Sequence, residues 1–471
     1  MFSFPDASRH LGASLEFSNP SCYATGASID TRTIEPGDLF IAIRGMRTDG
    51  HEYLEEAFRK GASGALVDQA VVHSQSDRFL NDAAKLFQNL LLVPDTQKSL
   101  ADLALWYRLR LGPVCIGITG SVGKTSTKEF LRYLLSQKYP VLANRGNFNN
   151  HLGLPLTLLR LQSADRFCVA ELGANHRGEI RDLACLLKPS AGMITQISPA
   201  HLEGFGSLEA VYEAKLELLE SLKPGSVAVL PASDRVLTEK ARQMDLKVVR
   251  VGDSDEAEFC VSDIRVKKSF VHFKLNRQRK YAFPGIGGFL AYNAAMAIAM
   301  AESLGMPPED IPKVWRALEL PEGRFQEHRL KNGVCLINDA YNASPVSFER
   351  ALNAFHALEV SGKKIVVFAD MLELGAEERQ YHEALGRSLA RYGFDYVAAY
   401  GGRACLSIDA LHSENPALGA DHFQSPEEVV HALRERIGAG DAVLFKASRG
   451  MKMEKVLDLL QMHWEADSLR S

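Results

Sequence analysis

Residues 114–135 read VCIGITGSVGKTSTKEFLRYLL, an apolar run that ends in the turn Gly120, Ser121, Val122, Gly123. Lys124, Thr125 and Ser126 then open an amphipathic segment. A strand, a glycine-bracketed turn and a helix N-terminus in that order form a cradle for phosphate. Backbone N–H groups and the positive end of the helix face anionic oxygens, the lysine reaches the β- and γ-phosphates, and the threonine hydroxyl is placed to ligate Mg²⁺. The spacing T-G-x-x-G-K-T is shorter than G-x-x-x-x-G-K-[ST], because position 118 is isoleucine. The stretch predicts ATP binding.

Ligands of open parallel sheets lie beyond the carboxyl ends of the strands, so polar residues just after apolar runs are the next candidates. Glu171, Gly173, Asn175 and His176 follow one run, and His201 and Glu203 follow another. A strand-end carboxylate such as Glu171 suits Mg²⁺, a hard ion that prefers oxygen; His201 is a further candidate ligand, although imidazole suits softer metals. Both also have plainer readings, Glu171 as a helix cap and His201 as a surface residue. Lys215 lies in the helical period EAVYEAKLELLESL, where a solvated face is the plain expectation. Asn149 and Asn150 sit in GNFNNHLG, a composition that favours turns and also suits recognition of a polar peptide or sugar. Further along, NDAYNASP carries Asp339, Tyr341, Asn342 and Ser344, and LFKASRG carries Lys446, Ser448 and Arg449, each after an apolar run.

The elements that must position these groups alternate. Strand-like runs at 113–119, 166–171, 192–197, 226–230 and 247–251 are separated by helical periods, the pattern of parallel strands with crossover helices. Residues 269–283 read as an antiparallel addition, followed by a helix over 289–305. A second open sheet is predicted from strands at 334–338, 364–369, 395–400 and 441–446, with helices at 346–359, 376–392, 426–436 and 450–464. The first hundred residues differ, with short strands around a Pro-Gly turn in 28–45 and a helix leading to a strand in 51–67. The fold class is therefore α/β in three domains, 1–110, 111–318 and 319–471, with a hinge at the P-E-G of 321–323.

Composition sets limits on function. The chain has 471 residues, 46% hydrophobic and 24% charged, with net charge −4. No strong field exists to gather nucleic acid or an anionic membrane, and no apolar stretch reaches the length of a membrane span. The N-terminus lacks a basic and then apolar leader pattern. Seven scattered cysteines without a C-x-x-C pair suggest reduced thiols in a cytoplasmic protein. Oligomeric state is not readable; a monomer is the default.

Taken together, TGSVGKTS, GNFNNHLGLPLTLLRL, ELGANHRGEI, AHLEGFGS, YNAAMA, EGRF, NDAYNASP and KASRG resemble, in order along nearly the whole chain, the Mur ligase family. The likeness is to the branch that adds a terminal dipeptide; the D-N-P-R signature of the sister adding the third residue is absent. Alanine at 447 departs from the glycine usual in that branch. The resemblance implies a mixed α/β N-terminal UDP-binding domain, a central phosphate-loop ATPase with a mainly parallel sheet, and a mobile C-terminal Rossmann-like domain. It implies ATP and Mg²⁺ as cofactors, with UDP-N-acetylmuramoyl-tripeptide and D-alanyl-D-alanine as the partners joined through an acyl phosphate. Thr31, Arg32 and Asp49 then match UDP-sugar contacts, and Thr125, Glu171 and His201 the Mg²⁺ positions. Asn293 and Arg324 match contacts to the adenine and ribose side, and Asp339 with Asn342 the C-terminal nucleotide contacts. Lys446 and Ser448 would approach the phosphates and the substrate carboxylate, and Lys215 aligns with a lysine carbamylated in some members. A folylpolyglutamate-type ligase, and a nucleotide-gated regulatory protein with no ligase step, are the alternatives.

Overall fold

In the computed structural model, residues 1–471 are described except 17, 20, 75–88 and 469–471. Three sheets organise the chain. The first has five strands in the order Ser14–Glu16, Leu90–Val93, Gly64–Asp68, Asp38–Ile41, Gly26–Ser28, parallel apart from the first pair.

The second sheet has nine strands. Val114–Thr119 lies between Ala191–Ile194 on one side and Phe167–Glu171 on the other, both parallel to it. Strand order reverses at this point, which leaves a crevice beyond the strand ends for a ligand. The apolar run is explained by burial: every residue after Val114 in that strand is shielded, as expected of a parallel strand covered on both faces. The expected antiparallel addition of 269–283 is the pair Phe270–Leu275 and Arg279–Pro284, joined to the sheet by the unanticipated strand Phe259–Lys267. The short strand Val141–Ala143 beside Phe167–Glu171 was not anticipated. Three residues are too few to show a period.

Two helices cover the nucleotide side of this sheet. Lys124–Ser136 buries Phe130, Leu131, Leu134 and Leu135 on one face. Leu290–Ser303 is almost wholly buried, and its run of alanines lets it lie close against its neighbours. Below them Phe130 and Phe283 pack with Trp315, at ring-centroid distances of 5.7 and 5.9 Å from it.

The third sheet has six strands in the order Gln326–Arg329, Cys335–Asn338, Ala442–Lys446, Lys364–Ala369, Tyr396–Tyr400, Ala420–Phe423, parallel except for the first pair. Asp339, Lys446 and Asp370 therefore stand at the ends of three adjacent strands. The helix Ala404–Glu414 and the edge strands Gln326–Arg329 and Ala420–Phe423 also escaped sequence reading, the strands because so few of their residues are buried. The linker turns at Gly323, φ +68°, and at Phe325, φ +53° and fully buried. Among the described residues all seven cysteines are free, and no helix is long and apolar enough to cross a membrane.

Trp315→Ala removes the centre of the aromatic cluster and is expected to destabilise folding by about 3–5 kcal/mol, measured by denaturant unfolding. A loss within error would show that this cluster is not a core.

Candidate active site

The phosphate loop is shaped by its neighbours. Gly120 has φ +141°, and a Cβ there would lie 2.1 Å from Thr195 Oγ1. That hydroxyl donates to the Val122 carbonyl at 2.7 Å. The Ser121 N–H donates to the Gln196 carbonyl at 2.7 Å, and its hydroxyl to the Ser198 carbonyl at 2.9 Å. On the other side, Gly123, φ +91°, faces the Asn293 amide, whose atoms lie 3.0 Å from where its Cβ would be. Ser126 is buried in the first helical turn. Thr195, Gln196 and Ser198 were not singled out from sequence; a Thr and Ser just past a strand end were the available signal.

Lys124 folds over this loop, its Nζ donating to the carbonyls of Gly120 at 2.7 Å and Ser121 at 3.2 Å. Desolvation pulls its pKa below the ordinary lysine value, against the attraction of Glu171. Thr125 Oγ1 accepts from Arg324 at 3.3 Å. The arrangement leaves a lysine end, backbone amides and a hydroxyl around one small space.

Glu171 is the last residue of its strand and is buried. Its Oε1 accepts from Asn149 Nδ2 at 2.8 Å, while its Oε2 is buried without a partner among the described residues. Asn144, another residue sequence reading missed, brackets the Glu171 backbone, accepting its N–H at 2.9 Å and donating to its carbonyl at 3.0 Å. Asn150 instead accepts from the N–H groups of Leu152 and Gly153, which is the turn role its composition suggested.

Lys215 corrects one expectation. It does not lie on a solvated helix face: it is 2% exposed, within the helix Leu208–Glu220. Its ammonium is 5.2 Å from the centroid of the Phe205 ring and has no ion-pair partner among the described residues. Burial, reinforced by Lys124, lowers its pKa to about 7. Helix periodicity missed this because the residues between its apolar positions are buried too. His201 is directed elsewhere than Glu171. Its Nδ1 pairs with Glu373 of the third sheet's unit, whose carbonyl also accepts from the Glu203 N–H at 3.2 Å. His201 and Glu373 both have left-handed backbones, φ +55° and +63°.

The strand ends of the third sheet form a closed set of contacts. Lys446 is buried and its Nζ donates to Asp339 Oδ2 at 2.5 Å and to the Asn342 carbonyl at 3.3 Å. Asp339 Oδ1 accepts from the Phe325 N–H at 3.0 Å, which ties the linker to the sheet. Ser448 Oγ accepts from the Leu372 N–H at 2.9 Å. Arg324 lies between the units: its guanidinium is 4.1 Å from the centroid of Tyr341 and its Nε is buried without a partner. Its charge lowers the pKa of both Lys124 and Lys446, after burial itself.

In the first unit, Thr31 is buried and its carbonyl accepts from Lys60. Arg32 is exposed and paired with Asp30 at 2.6 Å. Asp49 holds the N–H of His51 and its ring at 2.6 Å. These three residues are not joined to the phosphate loop by any hydrogen bond or ion pair among the described residues.

Comparison with known proteins places this geometry. Residues 24–108 match the Mur ligase family catalytic domain, 118–301 the Mur ligase middle domain, and 323–449 the Mur ligase glutamate ligase domain. UDP-N-acetylmuramoyl-tripeptide–D-alanyl-D-alanine ligase of Bacillus subtilis (strain 168) is 34% identical over 93% of this chain and 93% of its own. The crystal structure of MurF from Acinetobacter baumannii superposes with a TM-score of 0.83 at 28% identity, covering 98% of this chain and 99% of that one. MurF ligase from Thermotoga maritima, solved in complex with ADP, gives 0.77 at 29% identity, covering 94% and 99%.

Two outcomes are expected from the geometry. Gly123→Ala forces a side chain into a left-handed turn and against Asn293, and should weaken nucleotide binding measured by calorimetry; unchanged affinity would contradict it. For Lys215 the folded pKa, about 7, lies below the unfolded value. The unfolded chain thus binds more protons between pH 7 and the ordinary lysine range, so stability rises with pH there and falls as pH drops towards 7. Unfolding curves in CO₂-free buffer should show that slope in the native chain relative to Lys215→Met; a constant difference would refute it.

Proposed function

The chain belongs to the Mur ligase family, and from that premise we propose that it joins D-alanyl-D-alanine to UDP-N-acetylmuramoyl-tripeptide, coupled to cleavage of ATP. The observation that carries this reading is Arg324, seated between Lys124 of the phosphate loop and Lys446 of the third sheet. One guanidinium thereby touches both strand-end sites, at Thr125 Oγ1 (3.3 Å) and over the Tyr341 ring (4.1 Å).

A carboxylate is a poor acyl donor, because its charge repels nucleophiles and its oxygen leaves badly. Transfer of the γ-phosphoryl group to the tripeptide carboxylate removes both obstacles. The dipeptide amine then attacks the acyl phosphate, and the tetrahedral species expels phosphate. Most of the protein's work is alignment and charge stabilisation. Lys124 and the amides of Gly123–Ser126 would hold the transferred phosphoryl oxygens, Arg324 and Asn293 the nucleoside side, and Thr31, Arg32 and Asp49 the UDP moiety. Asp339, Asn342, Lys446 and Ser448 would complete the pocket when the third domain closes, excluding water that would hydrolyse the intermediate.

The residues present fit Mg²⁺. The unpartnered Glu171 Oε2 and the Thr125 hydroxyl are hard oxygen donors beside a phosphate cradle. The ion, when bound, supplies neutralisation of charge on the β- and γ-phosphates. His201 joins this set only after leaving Glu373. Lys215, an unpaired buried amine, is suited to carbamylation, which would turn an isolated cation into an anion beside Lys124. We place the reaction in the cytoplasm, and the domain limits at 110 and 318.

Incubation with UDP-N-acetylmuramoyl-tripeptide, ATP and D-alanyl-D-alanine should yield the UDP-muramoyl-pentapeptide by mass spectrometry, whereas folates should give no product. Phosphate release indifferent to the dipeptide would overturn the assignment. Lys124→Ala should lose on the order of 10²–10³ in turnover, as when one preorganised donor is removed; near-normal turnover would count against its role.

A further inference from the structure

Glu171 offers the pocket one oxygen rather than two. Oε1 accepts from Asn149 Nδ2 at 2.8 Å, while Oε2 is buried and free. The amide must present its nitrogen here, since an ionised carboxylate only accepts. Asn149 is itself held: its carbonyl accepts from the Gly173 N–H at 2.8 Å, and its side-chain atoms fill the space 2.9 Å from where a Gly173 Cβ would stand. Asn144 fixes the Glu171 backbone from both sides, and the Asn144 carbonyl is gripped by buried Lys128. The backbone and one oxygen of Glu171 are thus fixed, and Oε2 is the oxygen left to a ligand.

This bears on which ion the site accepts. Mg²⁺ demands a near-ideal octahedron and takes few carboxylate oxygens, retaining water and phosphate. Ca²⁺ is larger, takes six to eight oxygens and often binds a carboxylate through both. A bidentate grip on Glu171 would add the cation to Oε1, where it competes with the Asn149 amide for that oxygen's charge and orientation. We propose that Asn149 is a positioning residue that makes the site selective for Mg²⁺ over Ca²⁺, by occupying one oxygen of Glu171. The proposal rests on the reading of Glu171 as a metal ligand.

The test uses the full chain with ADP, loading Mn²⁺ as an electron-paramagnetic probe and displacing it with Mg²⁺ or Ca²⁺. Asn149→Ala should move the ratio of the two displacement constants towards Ca²⁺ by about tenfold, the lower end of effects from residues that orient metal ligands. Asn149→Leu, similar in volume but with neither a donor nor a new metal ligand, should shift it the same way, a result that mere loosening of the packing would not produce. An unchanged ratio in both variants overturns the proposal, as does an unchanged ratio with a raised KM for the UDP-substrate, which would make Asn149 a substrate contact. Glu171→Gln separates the two levels: if it leaves Mn²⁺ binding intact, the ligand assignment itself fails.

Discussion

Positive charge withdrawn from water is the constraint on which the rest of this structure depends. Lys215 and Lys446 are buried and Lys124 and Arg324 half-buried; they act on one another's electrostatics, with Glu171, Glu179, Glu217 and Asp339 as the carboxylates opposing them. Charges withdrawn from water without full pairing weaken a fold. On the proposed function, polyanionic substrates would complete the set. A ligand that binds only the folded form adds stability by mass action, so nucleotide and substrate should hold the domains together as well as react.

The phosphate loop shows how backbone geometry is secured around that charge. Gly120 leaves no room beside Thr195, and Gly123 none beside Asn293, so the turn is fixed from both flanks. The segment after Ala191–Ile194 accepts the Ser121 N–H and hydroxyl. The loop's shape is therefore a property of one neighbouring strand end and a helix, not of the glycines alone. This preorganisation lets backbone amides meet phosphate without rearrangement.

Much of this was legible in the sequence where the chain is regular. The strands at 113–119 and 364–369 announce themselves as apolar runs because both faces are covered, and the polar residues at their ends mark the crevice. Val141–Ala143 and Ala420–Phe423 stayed hidden because edge strands are short and half-exposed. Lys215 was obscured for the opposite reason: its helix is buried on more faces than amphipathic reasoning assumes. Asn144 and Thr195 act through contacts 27 and 76 residues distant along the chain, which no local pattern records. Asp339 and Lys446 were legible as polar strand-end residues, Arg324 only through the family resemblance. The Asp339–Lys446 pair follows from strand adjacency in one sheet and the Arg324–Thr125 contact from how two sheets meet, neither of which local sequence records.

The clasp between His201 and Glu373 has a mechanical consequence. Both residues hold backbones that non-glycine residues adopt at some energetic cost. Each is kept there while its partner is in place, one on either side of the seam. Parting the domains would cost a side-chain hydrogen bond and a backbone contact, while releasing two residues held in left-handed turns. The fastening and the strain thus sit at the same two residues, like a catch sprung at its own tongue.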